Sequence, residues 1–469
     1  MKFLRHIICV LAVFYMAPVM AEAPALPMGI SAPPPLPGGL APALPSGLDK
    51  ATSEVDDMNQ PKAKYFDKEV YGWLEYRYAE RLRNNSDLHG DEYLNELRFH
   101  VDSNFNWSDR SLEVAFDLIV DGVDQQSVDL ETGEGWFDLR KFSYYQPLGD
   151  SADLRIGRQV LTWGTGDLLF LNDLFPKDWH YLLGRDIEYI KTPSDAVKLT
   201  FYNDLANLDI IYTPQFEPDG MITGRRMSLY DPRIDALTGT ELPINVRNDI
   251  FENDELNLRL SRNIDSVELA LYGYQGYYHS PSEYDPVNDE FTFSRLSSIG
   301  FSVRTPLGPG IFNFEFANWV SEDDRSGTDP WIRNSERRYL LGYEWEAAKE
   351  LTVGLQYYVE HMQDYNDYKD NLPAGARQLR EKRELLTLRM TKFMLAQTLK
   401  ASVFSYYQPV NGDYYVRPEI NYQVNDQLTL ETGFTLFGNK DNEINANFGQ
   451  LEENSHIYFM VRYNFESLF

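Results

Sequence analysis

From residue 69 to the end, the chain repeats one pattern: extended stretches that alternate apolar and polar, joined by connections that are short, then long, then short again. The stretches fall at 69–83, 91–106, 111–122, 134–146, 151–162, 195–204, 206–214, 253–262 and 264–277. They continue at 290–305, 309–322, 334–347, 349–363, 381–394, 397–410, 412–423, 425–438 and 454–468, about eighteen in all and an even number. Leu351, Val353, Leu355, Tyr357 and Val359 alternate with Thr352, Gln356 and Glu360, so one face is greasy and the other wet. Leu112, Val114, Phe116, Leu118 and Val120 against Glu113, Asp117 and Asp121 repeat the arrangement.

The connections constrain the topology further. Pro147-Leu148-Gly149-Asp150, Asn203-Asp204-Leu205-Ala206, Pro306-Leu307-Gly308-Pro309 and Asn425-Asp426 are short and rich in turn formers. The longest polar connections, 163–194 and 215–252, fall between them. If the N-terminus starts on the periplasmic side, every short turn lands there and every long loop lands outside, as in a membrane barrel. A sandwich would also bury one face, but its strands average about five or six residues, whereas a membrane strand needs about 9–11. The fold expected is all-β, a transmembrane antiparallel barrel spanning 65–469 in the Gram-negative outer membrane.

Composition agrees. Aromatic residues make up 14% of the chain, with 31 Tyr and 27 Phe, which suits girdles at two membrane interfaces. Mean hydropathy is −0.44, and beyond the N-terminus no apolar run is long enough for a spanning helix. The formal charge of −29 argues against nucleic acid as a partner and would favour cations in a lumen or at loop tips. The single cysteine, Cys9, lies in a segment removed on export, which leaves no disulfide or thiol chemistry.

Residues 1–21 have a charged start (Lys2, Arg5), an apolar centre and the small-residue exit Val19-Met20-Ala21, the layout of a cleaved signal peptide. Residues 22–64 begin with a Pro/Ala-rich run containing Pro33-Pro34-Pro35, expected to form an extended periplasmic tether and a contact for a periplasmic partner.

In the last stretch Ile457, Phe459, Val461, Tyr463 and Phe465 share one face, and the chain ends on Phe469. It resembles the C-terminal strand of Gram-negative outer-membrane barrels. The resemblance implies that Phe459, Val461, Tyr463, Phe465 and Phe469 form the signal read by the barrel-assembly machinery; Ser467 departs from the pattern.

With the polar face turned inward, the lumen would carry Arg98, Arg140, Arg155, Arg259, Arg304, Arg389, Arg417 and Arg462, opposed by Glu96, Asp117, Glu315, Glu360, Glu419 and other acids. Such mixed arrays orient polar solutes and set ion preference. Gly157-Arg158-Gln159 followed by Trp163-Gly164-Thr165-Gly166-Asp167 reads as a strand entering a glycine-loosened loop that folds back and narrows the pore, with Arg158 and Asp167 at the constriction. The segment resembles the G-R-Q then W-G-x-x-D stretch of a family of Gram-negative outer-membrane porins, loosely similar to alginate-export barrels. A polyanion would call for a strongly basic lumen, which this mixture is not.

No zinc-protease, serine-hydrolase, phosphate-loop or dinucleotide-binding pattern is present, and the seven histidines are scattered, so no enzyme, cofactor or metal centre is expected. The acidic stretch 364–370 lacks the glycine and terminal Glu of an EF-hand and reads as a solvated acidic rim facing lipid and lipopolysaccharide. The function expected is a passive channel for hydrophilic solutes. An export conduit for polysaccharide or lipid and a structural or adhesive barrel stand as alternatives.

Overall fold

A computed structural model describes residues 66–83, 88–131, 133–221, 224–374, 376–440 and 446–466. The signal peptide (1–21), the tether (22–64) and Phe469 lie outside the described residues.

The strands, in chain order, are β1 (Phe66–Arg81), β2 (Glu92–Trp107), β3 (Arg110–Asp121), β4 (Phe137–Pro147), β5 (Ala152–Val160), β6 (Pro193–Phe201) and β7 (Asn207–Thr213). Next come β8 (Leu229–Asp231), β9 (Ala236–Thr238), β10 (Glu255–Ile264), β11 (Val267–Tyr277), β12 (Glu283–Asp285), β13 (Glu290–Thr292) and β14 (Arg295–Leu307). The last are β15 (Gly310–Ser321), β16 (Glu336–Ala348), β17 (Leu351–Met362), β18 (Lys382–Met394), β19 (Leu399–Gln408), β20 (Asp413–Gln423), β21 (Leu428–Gly438) and β22 (His456–Glu466). Eighteen of them form one antiparallel sheet, and β1 pairs with β22 from Tyr71↔Glu466 to Arg81↔His456. That pairing closes the cylinder and leaves no open edge.

Each of the eighteen expected stretches corresponds to one barrel strand. What the alternation did not reveal are two hairpins with three-residue strands too short to show a period: β8–β9 in the connection 215–252, and β12–β13, whose second strand takes the first residues of the stretch expected at 290–305, so that the barrel strand there starts only at Arg295. The stretch expected as an acidic loop at 364–370 is instead a short helix, Tyr365–Asn371, entered through Asp364 at positive φ.

Both ends of the cylinder follow from local chemistry. At the short-turn end, Gly149 adopts φ +74 and Asp265 φ +53, conformations that a tight reversal requires. The outer wall is apolar: Leu258, Leu260, Leu271, Ile299, Leu341, Leu355, Phe459, Val461 and Tyr463 are exposed and share one face. Phe465 lies across β1 on this face, where Gly72 makes room: a Cβ there would sit 2.6 Å from the ring and 2.2 Å from the His100 carbonyl. The Phe465 ring stacks on Phe99 at 5.6 Å, so the closing seam is sealed by aromatic contact on the outer face.

The opposite face carries the polar residues. Glu75, Arg77, Glu96, Arg98, Asp117, Glu315 and Arg417 are all buried, which an open aqueous tube of this width would not do. Their cover is the long connection between β5 and β6.

Candidate functional site

Residues 161–192 leave β5 and enter the cylinder, interrupted by two 3₁₀ turns, Trp179–Leu183 and Ile187–Ile190. The segment is greasy where it crosses: Leu168, Leu169, Leu171, Leu174, Leu182, Leu183 and Ile190 pack with wall residues Leu340, Tyr358, Phe404, Tyr406, Tyr415 and Tyr458 in one buried cluster. Leu171 and Leu183 are fully buried. Burial of this kind stabilises a loop in place by about 1.5–3 kcal/mol per large side chain.

Polar anchors on both sides of the ring hold it. Glu315 of β15 accepts hydrogen bonds from the Thr165 hydroxyl (2.8 Å), the Gly166 amide (2.9 Å) and the Asn172 side chain (2.9 Å). Trp319 Nε1 donates to the Leu171 carbonyl at 3.1 Å. On the far side of the ring, Arg417 of β20 donates to the carbonyls of Gly184 (3.1 Å) and Arg185 (2.9 Å), and Arg77 of β1 also donates to Gly184. Asp186 ion-pairs with Arg77 and Arg462, Arg185 with Glu96 at 2.6 Å, and the Tyr189 hydroxyl donates to Asp117 at 2.7 Å. The segment therefore spans the lumen from wall to wall. Where the segment meets the outer connection at Gly220, burial alone would raise the Asp178 carboxyl, but neighbouring His180 and Arg185 outweigh it and hold the group below its ordinary range.

Apart from Arg158, the lumen residues expected from the sequence divide into three groups. Asp167 from the loop and Arg389 from the wall form a bidentate pair that was not foreseen, with Nη2 to Oδ1 at 2.8 Å. Arg155, Arg259, Arg304, Glu419 and Arg462 face inward and are half-buried. Around them Arg155 pairs with Glu113 at 2.9 Å, Lys141 with Asp102 at 2.8 Å and Lys400 with Glu419 at 3.4 Å. Arg98, Arg140 and Arg417 also face inward but lie beneath the loop; Arg98 and Arg140 each sit 4.7 Å from the centre of the Tyr189 ring. They seat the loop rather than meet solvent.

Arg158 corrects the expectation. In register it pairs with Phe142, which is 55% exposed on the outer wall, and with Asp195. It is buried not in the lumen but under the outer connections, donating to the carbonyls of Leu139 (2.8 Å) and Leu130 and pairing with Glu217 at 3.4 Å. Gly157, at φ +112, brings the chain so close to β4 that a Cβ would meet the Phe142 carbonyl at 2.2 Å, and Gln159 turns inward to the Gly157 and Ala196 carbonyls. The G-R-Q segment thus ties strand to outer loops, while Trp163, packed on Phe175 and Tyr272, starts the inward turn.

A second layer covers the lumen at the long-loop end. Asn454 exchanges hydrogen bonds with Ser228, Arg226 donates to the Tyr93 carbonyl at 3.0 Å, and Met227 joins the buried cluster below. The inward fold of the first layer was expected from the glycine-loosened loop after β5, but its contacts and the second layer were not legible, because no period marks a loop that packs inside a barrel.

The sequence matches no protein-family model and no curated protein. Solved structures do match. Acinetobacter baumannii OccAB4 aligns with TM-score 0.52 at 11% identity, covering 87% of this chain and 100% of that one. Acinetobacter baumannii OccAB3 aligns with TM-score 0.51 at 10% identity, covering 86% and 100%. Pseudomonas aeruginosa OccK2 (OpdF), in complex with glucuronate, aligns with TM-score 0.51 at 11% identity, covering 86% and 99%. These are outer-membrane porins, and what this chain shares with them is the closed antiparallel barrel of eighteen strands.

Proposed function

We propose that the chain is a Gram-negative outer-membrane channel for passive passage of hydrophilic solutes, with residues 161–192 as its constriction. The observation that carries this reading is the closed eighteen-strand cylinder, apolar outside and lined inside by charges of both signs. Arg155, Arg259, Arg304, Arg389, Glu419 and Arg462, with Asp167 from the loop, would line the route. Because OccK2 was solved with glucuronate, small sugar acids are the first solutes to test. Purified protein in planar bilayers should give discrete conductance steps; a barrel of intact heat-modifiable mobility that never conducts would overturn the reading.

The dense packing of the inward loop favours one alternative, a structural or adhesive barrel with a sealed lumen. Solute uptake in cells lacking other porins separates the two, since only a channel restores it. The Pro/Ala-rich tether supports a further alternative, export of a polysaccharide or lipid through partners held by residues 22–64. Deleting 22–60 should spare passive conductance and abolish partner-dependent export. The terminal residues Phe459, Val461, Tyr463, Phe465 and Phe469 are proposed as the assembly signal.

A further inference from the structure

A groove of about 700 Å³ opens at the long-loop end of the barrel, among β7, β10, β11 and β14. Tyr212, Leu256, Gln275 and Ser297 line it, and the register puts all four on one face: Leu256 pairs with Tyr212 and with Gln275, and Gln275 pairs with Ser297. That face carries Leu258, Leu260, Leu271 (58% exposed) and Ile299 (67% exposed) further along the same strands. The groove is therefore outside the cylinder, where the apolar band ends and the polar loops begin. In a membrane this is headgroup depth, in the leaflet away from the short turns. A solute crossing the lumen does not reach it.

Its rim sets two exposed arginines among carboxylates above an apolar wall. Arg295 and Arg325 border it with side chains 60% and 69% exposed. Asp323 takes the Arg295 Nε at 2.7 Å, and among the described residues no acceptor engages its two terminal nitrogens. Glu322 steadies Arg325, with Nε to Oε2 at 2.9 Å, and also accepts from the Ser297 hydroxyl. The two guanidinium groups are thus oriented by carboxylates yet open to a further oxyanion. Asp254, which accepts from the Tyr212 hydroxyl at 2.9 Å, and Glu252 complete the rim and suit a divalent cation shared with a phosphate.

We propose that this groove binds the phosphorylated headgroup of an outer-leaflet glycolipid, its phosphate on Arg295 and Arg325 and its acyl chains along Leu256, Leu258 and Leu260. The continuity of the groove with the lipid-facing band, together with the two open guanidinium groups, selects this occupant over a second copy of the chain. The proposal rests on the outer-membrane reading but not on conductance, so bilayer recordings and lipid retention fail independently.

The test uses the full chain in nanodiscs of phosphatidylethanolamine and lipopolysaccharide, reading glycolipid phosphate retained per barrel after gel filtration. R295Q/R325Q should retain about tenfold less than the wild type. Dephosphorylated glycolipid should be retained by the wild type as weakly as the variant retains the intact lipid. R110Q, at an exposed arginine of the opposite end, should behave as wild type. Equal retention by the double variant, equal retention of dephosphorylated glycolipid, or retention of phosphatidylethanolamine to the same occupancy would overturn the proposal, as would barrel-to-barrel cross-linking at position 295. If the double variant loses heat-modifiable mobility, R295Q alone and the dephosphorylated-lipid arm carry the same test.

Discussion

The two halves of the lumen use the same side chains for different ends. Toward the short turns, Arg155 pairs with Glu113, Lys141 with Asp102 and Lys400 with Glu419, each between nearby strands; the Arg155 side chain is 32% exposed. Toward the long loops, Arg77 is 1% exposed and bonds Glu75, Glu431 and Asp186 besides the Gly184 carbonyl. A solvated pair is worth at most about 1 kcal/mol, whereas removing one partner of a buried pair costs about 3–5 kcal/mol. Arg155, Lys141 and Lys400 of the first set remain partly exposed to a solute, and the second set is committed to holding the inward segment.

That contrast is best broken at the segment itself. Replacing 165–188 with a short Gly/Ser linker should raise single-channel conductance several-fold in planar bilayers while the barrel keeps its heat-modifiable mobility. Unchanged conductance would mean that residues 161–192 are not the constriction. Next in size, R77A should lower unfolding stability in urea by about 3 kcal/mol, because Glu75 and Glu431 each lose one of two buried counter-charges and the Gly184 carbonyl loses a donor, and should increase current noise as the loop loosens.

The outer-wall tie gives a pH effect. Burial pushes the Glu217 carboxyl up to about 8 despite Arg158, and its Oε2 has no hydrogen-bond partner among the described residues. A folded-state value above the unfolded one means that this stability is fully present below about pH 4.5 and is lost as pH rises through about 8. The thermal midpoint should fall over that window, and E217Q should flatten the fall. Smallest of all, R155Q should change stability by no more than about 1 kcal/mol yet shift the reversal potential in a salt gradient toward cations. A stability loss as large as that of R77A would erase the distinction between the two halves.

The wall was readable in advance because every barrel strand separates lipid from water, so Leu258 and Arg259, or Leu355 and Gln356, announce opposite faces one residue apart. The same rule misplaces Arg158. Ile156 and Arg158 share a face by strict alternation, but polarity alone suggested the lumen; beyond the membrane band, a polar residue on the outer side is covered by loops instead of lipid. Asp167 was legible as a loop charge and Arg389 as a wall charge, but that the two meet across more than two hundred residues was not.

By itself the sequence determined the cylinder: strand number, strand length, the side of each short turn and the face of nearly every residue all follow from one alternation imposed by two solvents. Whether that cylinder is open was decided by tertiary structure alone. The Gly184 carbonyl has no periodic signal, yet Arg77 and Arg417 converge on it from separate strands, and only the closed ring brings those cations within reach.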